Sequence, residues 1–207
     1  MKRAFILAAA ATAALTLAAC QKTDQAANPA DPGTTNDAVN TAQDATSAAV
    51  GATSAATVGQ VSTDAFVTNA AISDMYEIQA GEIAQKKGQS AAVKAFGKMM
   101  VADHTALSNE MKSLVAAAGK TLPTGLDERR KGLIDNLNAA NPAEFDQVYL
   151  SQQDAAHSEA LTLMQGYADD GEDAGLKAAA AKAVPRIQGH LDQVRKLQAA
   201  PPAPARK

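Results

Sequence analysis

The chain contains no tryptophan, and only 3% of its 207 residues are aromatic. Its hydrophobic residues make up 46% of the sequence, and many of them are alanine. Alanine is the strongest helix former and lacks the bulk that β-strands favour. This composition therefore argues against a sheet-based fold and predicts close-packed helices.

Other absences exclude several classes of function. One cysteine rules out an internal disulfide. A net charge of −3 without a basic run makes nucleic acid an unsuitable partner. The sequence has no Gly-x-Ser-x-Gly nucleophile motif and no glycine-rich phosphate loop. These absences favour a non-catalytic protein, although they leave catalysis open.

The N-terminus has the composition of an export signal. Lys2 and Arg3 precede an apolar run, residues 4–19, that is short for a membrane span. The run ends in Leu-Ala-Ala-Cys at Cys20, which resembles the bacterial lipobox. We expect a signal peptide at residues 1–19 and a lipid on Cys20, whose acyl chains would hold the protein to a membrane. An ordinary signal peptide with a chance cysteine, or an uncleaved anchor, is the alternative.

The segments that flank the predicted domain are poor in large apolar side chains. Residues 20–61 contain no leucine or aromatic residue and consist largely of Ala, Thr, Asn, Asp, Ser and Gly. Such a segment buries too little apolar surface to offset the entropy of ordering. We therefore predict a flexible linker at 20–61 and a disordered tail at 200–207. Gln21 follows the cysteine. By the rule for bacterial lipoproteins, a residue other than Asp at this position indicates sorting to the outer membrane.

The predicted domain, residues 62–199, contains four long amphipathic patterns at helical spacing. They span 62–87, 90–119, 142–169 and 173–198, and a shorter pattern covers 127–138. The link between the second and third long patterns is long enough to run back along a bundle. The pattern predicts an all-α, ferritin-like four-helix bundle whose long crossover contains the short helix. An up-down-up-down bundle is the competing topology.

The three histidines of the chain fall on three different long helices. The first long helix has Glu77 instead, and all four residues lie near the middles of their helices. We therefore expect Glu77, His104, His157 and His190 to share one layer, where they could hold a divalent metal ion. Asp74, Asp103 and Asp154 are candidates to orient these ligands.

A structural polar layer without metal is the alternative interpretation, and buried polar groups of this kind must be hydrogen-bonded. A di-iron centre is not expected, because its Glu-x-x-His motif is missing; Asp154 is the nearest acid before His157. Ligand atoms that converge on one point would favour metal. Histidines paired with separate carboxylates or carbonyls would favour the structural layer.

Several of these residues form a pattern that resembles the bacterial domain-of-unknown-function family DUF4142. The pattern covers about Thr63 to Leu197 and consists of Glu77, Met-x-x-Asp-His ending at His104, Phe-Asp-x-x-Tyr from Phe145 to Tyr149, His157, and Pro185 with His190. The resemblance implies a ferritin-like helical fold and a location in the cell envelope, since members are often labelled membrane or outer-membrane proteins. It implies no activity.

The sequence thus predicts a lipid-anchored protein on the periplasmic face of the outer membrane. A non-catalytic structural or binding role is the leading hypothesis. One alternative is metal binding for storage, buffering or protection against oxidative stress. Another is a module that binds an envelope protein partner.

Overall fold

The computed structural model describes residues 36–57 and 62–200, and within these ranges the chain is all-helical. Its six helices are α1 (Asp37–Thr57), α2 (Thr63–Lys87), α3 (Ala91–Ala117), α4 (Glu128–Ala139), α5 (Phe145–Asp170) and α6 (Ala174–Gln198). The predicted signal peptide, Cys20 and most of the C-terminal tail lie outside the described residues. None of the described helices is both long enough and apolar enough to cross a membrane.

Four of the helices α2–α6 begin at side-chain caps, whereas α5 has none. Ser62, Ser90, Asp127 and Asp173 each accept a hydrogen bond from the backbone N–H three residues later. Each cap satisfies one of the N–H groups that a helix start leaves unpaired. The four long helices and the short helix predicted from the sequence are therefore all present. Pro185 does not interrupt α6, which is continuous to Gln198.

The four long helices form a closed ring of contacts in the order α2, α3, α6, α5. The start of α2 meets the end of α5, where the Thr63 and Tyr167 hydroxyls are 2.8 Å apart. The end of α2 meets the start of α5, where Lys87 Nζ lies 5.5 Å from the centroid of the Phe145 ring. α2 and α3 are joined by residues 88–90, and Gly81 of α2 lies against Gly97 of α3, so these helices are antiparallel too. Because α2 is antiparallel to both α3 and α5, the latter two run in the same direction. The link between them, which contains α4, must return along the length of the helices.

The N-terminal segment differs from the expected flexible linker. Within residues 20–61, Asp37–Thr57 forms α1, which packs against α5 and α4. Polar contacts join them: Asp44 Oδ2 accepts from Gln152 Nε2 at 2.6 Å, and Arg129 donates to the Ser47 carbonyl at 3.1 Å. The expectation was wrong for this segment because it counted only large apolar side chains. Alanine favours the helix, and hydrogen bonds hold it in place.

Two clusters of buried apolar residues fill the space between the helices. The first contains Phe66 and Tyr167, whose stacked rings have centroids 3.8 Å apart. The second contains Phe96 and Tyr149, which meet edge to face. Residues of the first cluster lie on one side of the three histidines along the helices, and residues of the second lie on the other. The histidines therefore form a polar layer that separates two apolar parts of the core.

Candidate metal centre

His104 of α3, His157 of α5 and His190 of α6 meet inside the ring of helices. Their side chains are buried, with no more than 4% of any residue exposed. Their ring centroids are 5.4 to 5.7 Å apart. One ligand atom from each residue lies within 4.8 Å of the others. Three imidazoles from three helices are thus close enough to share one ion.

Each imidazole has one nitrogen held by a hydrogen-bond acceptor on the protein. The three pairs are His104 Nδ1 with Asp74 Oδ1 at 2.8 Å, His157 Nδ1 with the Gln153 carbonyl oxygen at 2.9 Å, and His190 Nε2 with Asp103 Oδ2 at 2.8 Å. An acceptor of this kind fixes the ring orientation and places a proton on the nitrogen facing it. Metal-binding histidines in proteins are held in the same way.

Within the part of the chain that the structure describes, no protein group is hydrogen-bonded to the second nitrogen of each imidazole. These atoms are His104 Nε2, His157 Nε2 and His190 Nδ1, and all three are buried. Most buried polar atoms in proteins are hydrogen-bonded, because an unsatisfied one costs about 1–3 kcal/mol. A neutral imidazole with one N–H donated outward presents a lone pair at its other nitrogen. Three such nitrogens in one layer could serve as a ligand set for a metal ion.

The spacing of the rings is close to that of a bound metal site. Zinc–nitrogen bonds of about 2.0–2.1 Å place the nitrogens of a tetrahedral site about 3.4 Å apart. The ligand nitrogens of the three rings are at most 4.8 Å apart. To reach the tetrahedral spacing, each would have to move by less than about 1 Å towards a shared ion. Small side-chain rotations on three fixed helices are enough for such a movement.

The electrostatic environment keeps two of the three imidazoles neutral. Burial, with a smaller effect of the neighbouring His104, lowers the pKa of His157 to about 3. Burial also lowers the pKa of His190 to about 4, against the opposing hydrogen bond to Asp103. Neutral imidazole is the form that binds metal. Both residues are therefore in the ligand form near neutral pH.

His104 is coupled to an acid and differs from the other two histidines. Burial is the largest influence on it and lowers its pKa, but the hydrogen bond to Asp74 and the charges of Glu77 and Asp74 together raise the pKa above its usual value. Burial in turn raises the pKa of Asp74. The pair therefore retains a proton more strongly than either group would in water. A metal ion at His104 would compete with that proton.

Glu77 lies beside the three histidines rather than among them. It is 1% exposed, and its Oε2 accepts from Gln153 Nε2 at 2.7 Å. Its Oε1 is 3.8 Å from His157 Nδ1, the nitrogen already held by the Gln153 carbonyl. Burial raises the pKa of Glu77. Within the described residues, the group of converging ligand atoms comprises the three histidines without Glu77.

The three acids singled out from the sequence have different positions. Asp74 and Asp103 contact His104 and His190, respectively. Asp154 contacts neither; its Oδ1 accepts from Arg195 Nε at 3.0 Å. The sequence analysis named Asp154 as a candidate to orient a histidine ligand; in the structure its side chain contacts Arg195 of α6.

Gln153 was missed by the sequence analysis. Its carbonyl oxygen holds His157, and its side-chain amide holds Glu77. It is fully buried, and none of the residues that the structure describes is hydrogen-bonded to its side-chain oxygen. Its position one helical turn before His157 was the available signal, because residues at this spacing share a helix face.

A larger cavity of about 330 Å³ lies between α1, α4 and α5. Charged groups in its wall are already paired with one another: both Arg129 and Arg130 donate to Glu159 Oε1, at 2.8 and 2.7 Å. Asp44 accepts from two side-chain amides. These pairs hold α1 and α4 against α5, whereas the histidine layer has polar atoms without partners.

Comparison with known proteins identifies a family without an assigned activity. The family model described as "Domain of unknown function (DUF4142)" matches residues 47–197. The match begins inside α1 and covers the whole ring of long helices, with all three histidines. No curated protein and no solved structure gives a significant match.

Proposed function

The chain belongs to the DUF4142 family, and we propose that it binds one divalent transition-metal ion through His104, His157 and His190. The observation that carries this proposal is the set of three buried, unpartnered imidazole nitrogens in one layer. We further propose that the four long helices form a ferritin-like bundle, in which metal sites are built between facing helices. In this arrangement the protein would store or buffer the ion.

The ligand type restricts the metal. Imidazole suits zinc, copper, nickel and iron, whereas calcium and magnesium require oxygen ligands. No carboxylate joins the three nitrogens within the described residues. We therefore expect zinc or copper to bind far more tightly than calcium or magnesium.

A purely structural polar layer explains only half of the hydrogen bonding. It accounts for the three nitrogens that donate to Asp74, Gln153 and Asp103. It does not account for the other three nitrogens, which no protein group in the described ranges pairs. The metal proposal accounts for both sets.

Metal analysis of purified protein tests the proposal. We expect one zinc per chain after dialysis against zinc and gel filtration, and none in His157→Ala. Asp74→Asn and Asp103→Asn should weaken zinc affinity by about 10–100-fold, because loss of an orienting acid commonly has this effect. Asp154→Asn is the matched control, since this acid contacts Arg195 instead. Zinc bound equally well by wild type and His157→Ala would disprove the assignment.

We also propose that a lipid on Cys20 anchors the protein in the outer membrane, with the helical domain facing the periplasm. Support comes from the sequence: the apolar run, the Leu-Ala-Ala-Cys ending and the single cysteine. Cys20→Ala should move the protein from the membrane fraction to the soluble periplasmic fraction and abolish labelling with a fatty-acid analogue. Cys20→Ala protein that remains in the membrane fraction would contradict the lipid anchor.

The surface of the described residues gives little support to the alternative hypothesis of a partner-binding module. An exposed apolar patch would favour it, but the large hydrophobic residues exposed in the described ranges are Val50 and Met99. They lie on α1 and α3, respectively.

A further inference from the structure

A small cavity lies against the histidine layer on one side. Its volume is about 30 Å³, and a single water needs roughly 10–15 Å³ of such space. The ring of His104 and the side chain of Asp74 form part of its wall. Most of the remaining wall is alanine, leucine, isoleucine and methionine, so the space is largely apolar.

The cavity contacts the layer at His104 and lies beside it along the helix axes. In α5, Ala160 lines the cavity and follows His157 by one turn. In α6, Ile187 lines it and precedes His190 by one turn. His104 lines it directly. The cavity therefore adjoins all three helices that supply imidazoles, at the end of the layer nearer the start of α2.

The opposite side of the layer is filled. The ring of Phe96 has its centroid 6.5 Å from that of His157. Met100, one turn before His104, and Val194, one turn after His190, are completely buried. Space next to the layer is thus available on the cavity side.

A metal held by three imidazoles has a fourth tetrahedral position. Resting on the proposed metal binding, we propose that this position faces the cavity and takes an exchangeable small Lewis base of two or three heavy atoms. Glu77 lies outside the group of converging ligand atoms and leaves the position open. The size of the cavity excludes a larger ligand. Apart from Ser73, Asp74, His104 and Glu110, its wall is apolar, so it offers a fully hydrated ion few hydrogen bonds.

Cobalt(II) and azide provide a direct test, since the visible absorption of cobalt reports its coordination. The cobalt-loaded wild-type protein should have the absorption spectrum of tetrahedral cobalt. Azide should change this spectrum, and the change should saturate as the azide concentration rises. The larger side chain of Ala183→Leu fills part of the cavity. This variant should weaken azide binding at least tenfold while it still binds one cobalt ion. Ala181→Leu, on the exposed side of the same helix, is the matched control and should bind azide as the wild type does.

A second variant covers the case in which Ala183→Leu does not fold. Ala160→Val narrows the same cavity from α5 with a smaller added volume, and it should also weaken azide binding. If cobalt binds but azide never changes its spectrum, the inference is wrong and the metal site stands. An azide response that appears only in Glu77→Gln also overturns it, because Glu77 would then occupy the fourth position. If cobalt does not bind, the proposed function itself fails.

Discussion

Replacing His157 with leucine separates a metal site from a structural polar layer. The substitution removes a buried Nε2 that has no partner and an Nδ1 that is hydrogen-bonded to the Gln153 carbonyl. That carbonyl remains satisfied, because it also accepts the helical hydrogen bond from the backbone of residue 157. Leucine has a volume similar to that of histidine and fits a site with 1% exposure.

The expected free energies make His157→Leu more stable than the wild type without metal, and less stable than the wild type with metal. An unsatisfied buried group costs about 1–3 kcal/mol, and the lost hydrogen bond is worth about 0.5–1.5 kcal/mol. Without metal, the free energy of unfolding of His157→Leu should therefore exceed that of the wild type by about 1 kcal/mol, or about 2–4 °C in Tm. At a free metal concentration 100 times Kd, the wild type gains about 2.7 kcal/mol. With metal, the wild type should be the more stable protein.

The assay is thermal and urea unfolding followed by circular dichroism, in EDTA and in excess zinc. His104→Leu provides a contrast, because it leaves the buried Asp74 without its partner. It should lose roughly 3–5 kcal/mol in EDTA. If His157→Leu loses more than about 1 kcal/mol in EDTA, or zinc leaves the wild type unchanged, His157 belongs to a structural layer and the reasoning is wrong.

Three further predictions concern pH, helix packing and the docking of α1. The pKa values of His157 and His190, about 3 and about 4, lie below the unfolded value of 6.5. The unfolded chain therefore binds more protons between these limits, and metal-free stability should fall as pH drops from 6.5 to 4.5. Urea unfolding should show a smaller loss in His157→Leu; an equal loss would contradict buried neutral histidines. Gly81→Ala places a Cβ 2.7 Å from the main chain of α3 and should cost about 1–3 kcal/mol in thermal unfolding. Gly189→Ala, with nothing within 4 Å, should instead stabilise α6 by about 0.5–1 kcal/mol; equal effects of the two would refute the packing argument. Asp44→Ala removes the acceptor of two amides and should speed hydrogen exchange in α1 while leaving α2 to α6 protected; uniform acceleration would show that α1 is not a separate unit.

The common layer of the histidines could be anticipated from the sequence. His104, His157 and His190 lie near the middles of long helices. In a bundle of aligned helices, the middle of each helix lies at the same level whichever direction the chain runs. The rotation of each helix was harder to anticipate. Glu77 shares the layer, but its carboxylate faces Gln153, because a rotation of a few tens of degrees decides which neighbour a side chain meets.

The sequence analysis predicted one of two outcomes: ligand atoms that converge on one point, or histidines paired with separate hydrogen-bond acceptors. The structure shows both. An imidazole has two nitrogens, and His104 shows both outcomes: Nδ1 contacts Asp74, and Nε2 is buried without a partner. Geometry at the level of single nitrogen atoms cannot be derived from helical spacing.

The position of α1 was missed for a different physical reason. Its buried residues are Asn40, Gly51 and Ala55, none of which is a large apolar side chain. Its docking depends on the complementary positions of distant groups, such as Gln152 for Asp44. Such pairs leave no periodic pattern in the helix itself, so analysis of the segment alone gives a flexible linker.

Zinc K-edge X-ray absorption on the zinc-loaded protein tests the central claim most directly. Coordination by His104, His157 and His190 predicts about three nitrogen neighbours at about 2.0–2.1 Å, with the multiple scattering that imidazole rings produce. A zinc shell of oxygen neighbours without imidazole scattering would contradict the three-histidine centre.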